Sequence, residues 1–270
     1  MMKYIAIHSV PRSGSTWLGS IFDSHPEVIY KYQPLFSYAF KSALSPHSST
    51  EEIKRFFQQI ATRDDDFLDQ VEAKKRGIVP QFEKTTPRAV VYKEVRYHHL
   101  LENLLSRQPE LRLIMLIRHP LATLHSWWKA PKEFRADLGW QLTEEWRWAP
   151  KKNQGRPEEY NGYEKWKEAA YLFEQLQSRW PERCMIVTYA DLLHDTETTV
   201  RTLFDCCGLD FADQTAAFIA KSKSSAVDDA YGVYKTKRKD TAWRGQLPQS
   251  IASNVLEDLK DTALEKYLQE

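Results

Sequence analysis

The chain has 270 residues, 42% of them hydrophobic, which is enough apolar material for one large domain with a buried core. A formal net charge of +1 excludes a global field that would attract nucleic acid or a membrane surface, so we expect neither partner. The three cysteines, Cys184, Cys206 and Cys207, are odd in number and lack metal-ligand spacing. They argue against a disulfide framework and favour a reducing, cytoplasmic location.

Predicted strands and helices alternate along the chain. Apolar runs predict strands at about 3–8, 27–30, 89–93, 111–117 and 184–188. Helical stretches separate them, which predicts a single α/β domain over 1–270 with a parallel β-sheet flanked by helices. Because the first predicted strand begins at about residue 3 and no run is long and apolar enough to span a bilayer, we expect neither a signal peptide nor a transmembrane segment. Ligands of such sheets bind beyond the carboxyl ends of the strands.

The first predicted strand leads through a short polar loop into a helix. The loop contains Arg12-Ser13-Gly14-Ser15-Thr16, and apolar residues then repeat at helical spacing. Unpaired N–H groups at the start of a helix form an anion site, and Gly14 lets the backbone approach a phosphate closely. The loop lacks the spacing and the lysine of loops that hydrolyse nucleoside triphosphates, which argues against a kinase. The sequence therefore predicts a site for a phosphate ester.

A second arginine follows the fourth predicted strand. The strand at 111–117 is continuously apolar, as a buried parallel strand should be, and it is followed by Arg118-His119-Pro120. Pro120 suits the first turn of a helix, where its missing N–H costs nothing. Ser126 follows about two turns into that predicted helix.

Taken together, these two segments resemble the cofactor motifs of sulfotransferases that use 3′-phosphoadenosine 5′-phosphosulfate (PAPS). The resemblance implies a P-loop-containing, sulfotransferase-like fold and binding of PAPS and its product, adenosine 3′,5′-bisphosphate (PAP). It assigns Arg118 and Ser126 to the 3′-phosphate, where an arginine offers a planar, bidentate fork. It assigns the 5′-phosphosulfate to Arg12, Ser13, Gly14, Ser15, Thr16 and Trp17.

Further segments fit the same family in the expected order. The segment 185–193 resembles the strand and helix start that place a tyrosine, here Tyr189, near the adenine. Trp17 could then stack on the adenine ring. The basic stretch that precedes Trp243 resembles the loop covering the cofactor phosphates, and it supplies Lys237 and Arg238.

The reaction that the resemblance implies is in-line transfer of a sulfuryl group from PAPS to an acceptor hydroxyl. The site must remove a proton from the attacking oxygen and stabilise charge on the departing phosphate, and no metal is required for either task. Arg12 and Lys93, the latter at the end of the third predicted strand, are the expected stabilisers of the leaving group.

The general base is not evident from the sequence. The family's glutamate position is Gln33, in Tyr32-Gln33-Pro34-Leu35, and its histidine position after the third-strand lysine is Val95. Glutamine cannot hold a proton at neutral pH, so the nearby candidates are Glu94, His98 and His99, followed by Glu83 and His8. Two hypotheses remain open. One is an active sulfotransferase with a substituted base, and the other is a catalytically impaired PAPS- or PAP-binding protein of the same fold.

The acceptor pocket is expected in a variable insertion over 131–163, a helical and aromatic segment after the 3′-phosphate helix. Its aromatic residues stand among charged ones, and such an insertion could cover a substrate or merely pin itself to the domain. A carbohydrate hydroxyl is the leading acceptor, and a small-molecule alcohol is the alternative. The oligomeric state is not readable from the sequence.

Overall fold

Parallel strands form the centre of the computed structural model, which describes residues 2–225, 229, 231–234 and 240–269. The described residues form a five-stranded sheet of order β2-β3-β1-β4-β5. Its members are β1 (Lys3–His8), β2 (Val28–Tyr32), β3 (Ala89–Glu94), β4 (Leu111–Ile117) and β5 (Cys184–Thr188). Each pairing is parallel. All the expected strands are present, although β2 and β3 extend further than predicted.

Helices connect the strands and cover the sheet. They are α1 (Ser15–Asp23), α2 (Thr50–Thr62), α3 (Val71–Lys75), α4 (Leu101–Arg107), α5 (Pro120–Trp128), α6 (Leu142–Glu145), α7 (Pro150–Asn153), α8 (Tyr163–Arg179), α9 (Tyr189–His194), α10 (Thr196–Cys207), α11 (Asp213–Ser224) and α12 (Gln249–Leu259). Short 3₁₀ helices lie at Pro34–Phe36, His98–Leu100, Ala136–Leu138 and Glu265–Leu268.

Two apolar layers lie on opposite faces of the sheet. Along β4, Leu113 and Met115 join the layer with α2, α4, α5 and α8, whereas Ile114 and Leu116 join the layer with α1 and α10. Successive side chains of a strand point to opposite faces, and both faces are buried, so the strand reads as a continuous apolar run. The expected fold class, a single-domain α/β fold with a helix-flanked parallel sheet, is confirmed.

Helix α2 begins with a capping box. The Ser49 hydroxyl accepts the N–H of Glu52, and the Glu52 carboxylate accepts the N–H of Ser49. Thr50 therefore occupies the first helical position. The apolar face of α2 is buried in the core and consists of Ile53, Phe56, Phe57 and Ile60.

The segment 131–163, which we call the cap, is held to the domain by aromatic packing. The Phe134 ring meets the Trp127 ring of α5 edge-on at 5.2 Å between centroids, and the Tyr163 ring stacks on that of Trp166, further along α8, at 6.4 Å. Edge-on and stacked geometries are the favourable ones for aromatic pairs. These rings therefore anchor the cap, while the Trp148 side chain remains exposed. Across the described part of the chain, no helix combines the length and apolar character needed to cross a membrane.

Candidate active site

The loop between β1 and α1 has the backbone of an anion cradle. Arg12 and Gly14 both have positive φ angles, of 70° and 93°. A Cβ atom at Gly14 would lie 2.6 Å from Cδ2 of Tyr189 and would also overlap Cε2, so only glycine fits there. The Ser13 hydroxyl is buried and has no hydrogen-bond partner among the described residues. Because a buried hydroxyl normally has a partner, this orphan and the open helix start both fit a bound phosphate.

The two arginine loops meet at the carboxyl edge of the sheet. Nε of Arg12 donates to Oγ of Ser126 at 3.2 Å, and Nη1 of Arg118 donates to the carbonyl oxygen of Arg12 at 2.7 Å. Nε of Arg118 also donates to Oδ1 of Asp240 at 2.6 Å. The fold therefore assembles the cations and the hydroxyl of both sequence motifs into one cluster.

Tyr189, the first residue of α9, packs against this cluster. Its ring covers Gly14, and the guanidinium carbon of Arg118 lies 4.8 Å from the ring centroid. Trp17 is buried, meets the Tyr189 ring edge-on at 6.4 Å, and donates from Nε1 to Oγ of Ser222 at 3.0 Å. Stacking of Trp17 on an adenine, and an adenine beside Tyr189, stay predictions.

Of the remaining residues of the expected cofactor site, the structure describes Ser15 and Thr16. Ser15 is buried at the first position of α1, and Thr16, which is partly buried, follows it. Lys237 and Arg238 lie outside the described residues. The described residues contain no group of three or more His, Cys, Asp or Glu side chains that could hold a metal ion. That the reaction needs no metal stays a prediction.

Lys93 lies near the end of β3, on the sheet face that carries α1. Its backbone pairs with Ile7 on one side and with Tyr32 on the other, and Nζ lies 4.5 Å from the Tyr32 ring centroid. Burial lowers the pKa of Lys93, and the charges of Glu94 and Glu133 oppose that shift. Removal from water disfavours an ammonium ion, so bound anions are the natural partners of this group.

Glu94 and His98, the candidate bases, lie on the other face of the sheet. Glu94 alternates with Lys93 along β3, is fully buried, and accepts the N–H of Leu35 on Oε1 at 2.7 Å. Burial raises the pKa of Glu94. His98 is fully buried, with Nδ1 2.9 Å from Nδ1 of His8, and burial holds the pKa of His98 well below its usual value. These contacts are typical of structural groups, and the structure does not bring either residue to the face of Lys93.

Gln33 lies next to an ion pair that the sequence did not indicate. Oε1 of Gln33 accepts a hydrogen bond from Nη1 of Arg96 at 3.2 Å, and Nε of Arg96 lies 3.1 Å from a carboxylate oxygen of Glu159 in the cap. All three side chains are buried. The carboxylate that neutralises Arg96 thus comes from the cap, and the amide of Gln33 completes the arrangement.

Glu133 is the acidic residue that sequence reasoning missed. It belongs to the cap, and Oε2 lies 2.8 Å from Nζ of Lys152. Burial lowers the pKa of Arg12, and the charges of Tyr231 and Glu133 oppose that shift. The charge of Glu133 therefore acts on the cations of the candidate site. Nothing in its spacing could have singled it out, because its place depends on how the cap packs.

A parallel sheet with two arginine loops at one edge, one of them opening a helix at a glycine, defines a protein that binds a phosphate ester. A model of the sulfotransferase family matches residues 5–213, so the chain belongs to the sulfotransferase family. The expected activity is confirmed at this level: the chain is a PAPS-dependent sulfotransferase whose acceptor is unspecified.

Individual relatives agree with this placement. Mouse carbohydrate sulfotransferase 5 is 25% identical over an alignment 313 residues long, and the alignment covers 94% of this chain and 78% of that protein. Mouse sulfotransferase SULT7A1, solved with PAP, matches with a TM-score of 0.55 and 14% identity over 98% of this chain and 87% of that chain. Retinol dehydratase, solved with retinol and PAP, matches with a TM-score of 0.55 and 14% identity over 98% and 83%. At such identities the two structures show likeness of fold.

Proposed function

We propose that the protein transfers the sulfuryl group of PAPS to the hydroxyl of a small-molecule alcohol by in-line displacement, without a metal. The observation that carries this proposal is the cluster of Arg12, Arg118 and Ser126, which joins the two cofactor motifs by direct hydrogen bonds. In this proposal the loop 12–17 and Lys93 bind the phosphosulfate. Arg118 and Ser126 bind the 3′-phosphate, and the adenine lies beside Tyr189.

The leaving group in this reaction is the 5′-phosphate oxygen, which gains negative charge as the bond to sulfur breaks. Arg12 and Lys93 would stabilise that charge, because both are cations held in a site largely removed from water. The Ser126 hydroxyl orients Arg12 through the bond to Nε.

Aromatic rings beside Lys93 support an acceptor with an apolar body. Tyr32, whose ring lies over the Lys93 ammonium, meets Phe67 edge-on at 5.5 Å between centroids. Phe67 in turn meets Phe36 at 6.0 Å. Phe36 and Phe67 keep 46% and 40% of their surfaces exposed, and adjoining exposed rings are typical of a binding surface. The retinol bound by retinol dehydratase is an alcohol of this kind.

A carbohydrate hydroxyl is the second candidate acceptor. It is supported by the similarity to a mouse carbohydrate sulfotransferase and by the abundance of aromatic side chains in the cap.

We also propose a cytoplasmic location, which is supported by the three cysteines, because none of them forms a disulfide bond. The presence of Gln33 at the family's base position keeps an impaired, PAP-binding protein as the alternative to an enzyme.

Calorimetric titration tests the cofactor assignment first. We expect PAP to bind more tightly than ATP, with the same affinity with and without Mg²⁺. A preference for ATP with Mg²⁺ would contradict the proposal.

Transfer of radiolabelled sulfate from PAPS then tests the acceptor, with 2-naphthol compared against N-acetylglucosamine. We expect turnover of 2-naphthol, and we expect Phe36→Ala to raise its KM severalfold. Tyr171→Ala is the matched control, because Tyr171 is an exposed ring on α8, with 41% of its surface exposed. Transfer to the sugar alone would favour the carbohydrate acceptor. Tight PAP binding with no transfer to either would favour the impaired protein.

A further inference from the structure

The active site lacks a proton acceptor at each position where the sequence would place one. Gln33 cannot take up a proton at neutral pH, and its Oε1 is bound to Arg96. Glu94 and His98 are buried on the sheet face opposite Lys93, where each already has a close contact. We therefore expect the base for the acceptor hydroxyl in another segment, one whose charge reaches Lys93.

Glu133, in the cap, is a carboxylate whose charge reaches Lys93. Its negative charge acts on both expected stabilisers of the leaving group, because it opposes the fall in the pKa of Lys93 and of Arg12. Burial raises the pKa of Tyr32, and the charge of Glu133 raises it further, whereas a hydrogen bond with Gln33 lowers it. Tyr32 belongs to the aromatic surface proposed for the acceptor. Glu133 thus lies within electrostatic reach of both the donor and the acceptor sides of the site.

Contacts of its neighbours fix this part of the cap beside Arg12. The ring of Tyr231 contacts both Arg12 and Lys132. Its centroid lies 4.9 Å from the guanidinium carbon of Arg12 and 5.1 Å from Nζ of Lys132. Oη of Tyr231 accepts the N–H of Lys132 at 3.1 Å. Lys132 immediately precedes Glu133, so a single tyrosine connects the phosphate loop to the residue beside this carboxylate.

We propose that Glu133 is the general base that accepts the proton of the acceptor hydroxyl. The proposal rests on the proposed function. In the step, the acceptor oxygen forms a bond to sulfur while the bond between sulfur and the 5′-phosphate oxygen breaks. That bond's electron pair stays on the phosphate of PAP, and the hydroxyl proton passes to the Glu133 carboxylate. The products are a sulfate ester and PAP, and the protonated Glu133 then releases its proton to water.

The charges around Glu133 keep it in the form that a base requires. Burial opposes its ionisation, but the Lys152 ammonium at 2.8 Å and two arginines outweigh burial and lower the pKa of Glu133. It is therefore a carboxylate at neutral pH. A hydroxyl becomes more acidic as its oxygen bonds to sulfur, so a carboxylate can accept the proton late in the step. The titratable groups whose charges interact with Glu133 are Arg12, Tyr32, Lys93, Arg96, Lys152 and Tyr231.

The dependence of turnover on acceptor acidity tests the proposal. We expect Glu133→Gln to keep PAP affinity within about threefold and to lower transfer to an aliphatic alcohol, cyclohexanol, by about 100-fold or more. Transfer to 4-nitrophenol at pH 8 should fall only severalfold, because that acceptor is already largely ionised. The matched control is Glu144→Gln, since Glu144 is an exposed acid of the cap paired with Lys151. It should change neither rate.

A second readout does not depend on turnover. The absorbance of 4-nitrophenol bound to the complex with PAP reports its ionisation, and a nearby negative charge raises its apparent pKa. Glu133→Gln should lower that pKa by about one unit or more. Equal loss of transfer to both acceptors, or an unchanged pKa of bound 4-nitrophenol, would overturn the assignment of Glu133. Failure of the unmodified protein to bind PAP would instead refute the proposed function.

Discussion

A methyl group at Gly14 should damage the protein in two separable ways. Gly14 has a φ of 93°, which L-residues rarely adopt, and a Cβ there would overlap the ring of Tyr189. The backbone strain costs about 1–2 kcal/mol and the overlap about 1–3 kcal/mol, so Gly14→Ala should lose about 2–5 kcal/mol of unfolding free energy. For a chain of this size, the melting temperature should fall by about 4–9 °C.

Substitutions at two other glycines separate the cost of backbone strain from the cost of overlap with a ring. Gly77 has a φ of 67° and open space around its Cβ position, so Gly77→Ala should cost only the strain, about 1–2 kcal/mol. Gly19 lies within α1, where a Cβ would meet the ring of Tyr30, with Cζ at 2.7 Å. Gly19→Ala should cost the overlap, reduced by the roughly 1 kcal/mol that alanine gains over glycine in a helix.

Circular dichroism melts and PAP titrations provide the measurement. Only the Gly14 variant should also weaken PAP binding, by about 10- to 100-fold. If the methyl group displaces the loop, the loop loses hydrogen bonds to the charged phosphate of PAP, which are worth about 1.5–3 kcal/mol. If Gly14→Ala melts no lower than Gly77→Ala, or binds PAP normally, then the close contact between the phosphate loop and Tyr189 does not exist as described.

Changes at three further positions probe the charged groups. Arg118→Ala should weaken PAP binding by about 10- to 100-fold and binding of adenosine 5′-monophosphate much less, and equal losses by calorimetry would contradict a 3′-phosphate site. Because burial lowers the pKa of Lys93, kcat/KM for PAPS should decline with rising pH well below the ordinary lysine value of 10.5, and Lys93→Arg should remove that decline. A profile that stays flat to about pH 10 would refute this. Burial raises the pKa of Glu94 above its unfolded value, so the folded state binds more protons and its stability should fall as pH rises above about 4.3. In urea unfolding, Glu94→Gln should therefore gain stability relative to the parent between pH 5 and 8. Glu94→Leu should lose about 1–3 kcal/mol, since the N–H of Leu35 loses its acceptor; identical pH profiles for Glu94→Gln and the parent would show that Glu94 does not ionise there.

Much of the fold could be predicted from the sequence because its signals are local. A strand buried on both faces must be apolar throughout, and this requirement located β1 and β4 within a residue or two. The phosphate loop could also be predicted, since its glycine and hydroxyls are consecutive and open a helix directly. Strand ends were less certain, and β2 continues to Tyr32 because its backbone pairs with β3 as far as Lys93.

The catalytic side of the site depended on tertiary structure. The sequence by itself determined a parallel α/β sulfotransferase fold, and it placed Arg12, Gly14 and Arg118, the residues of the proposed cofactor site, in loops that follow β1 and β4. It could not determine which acids face Lys93, because that depends on segments far apart in the chain. The cap brings Glu133 to Lys152 and Glu159 to Arg96 through aromatic packing and ion pairs. Such contacts have no period or spacing in the sequence, so only the folded arrangement decides them.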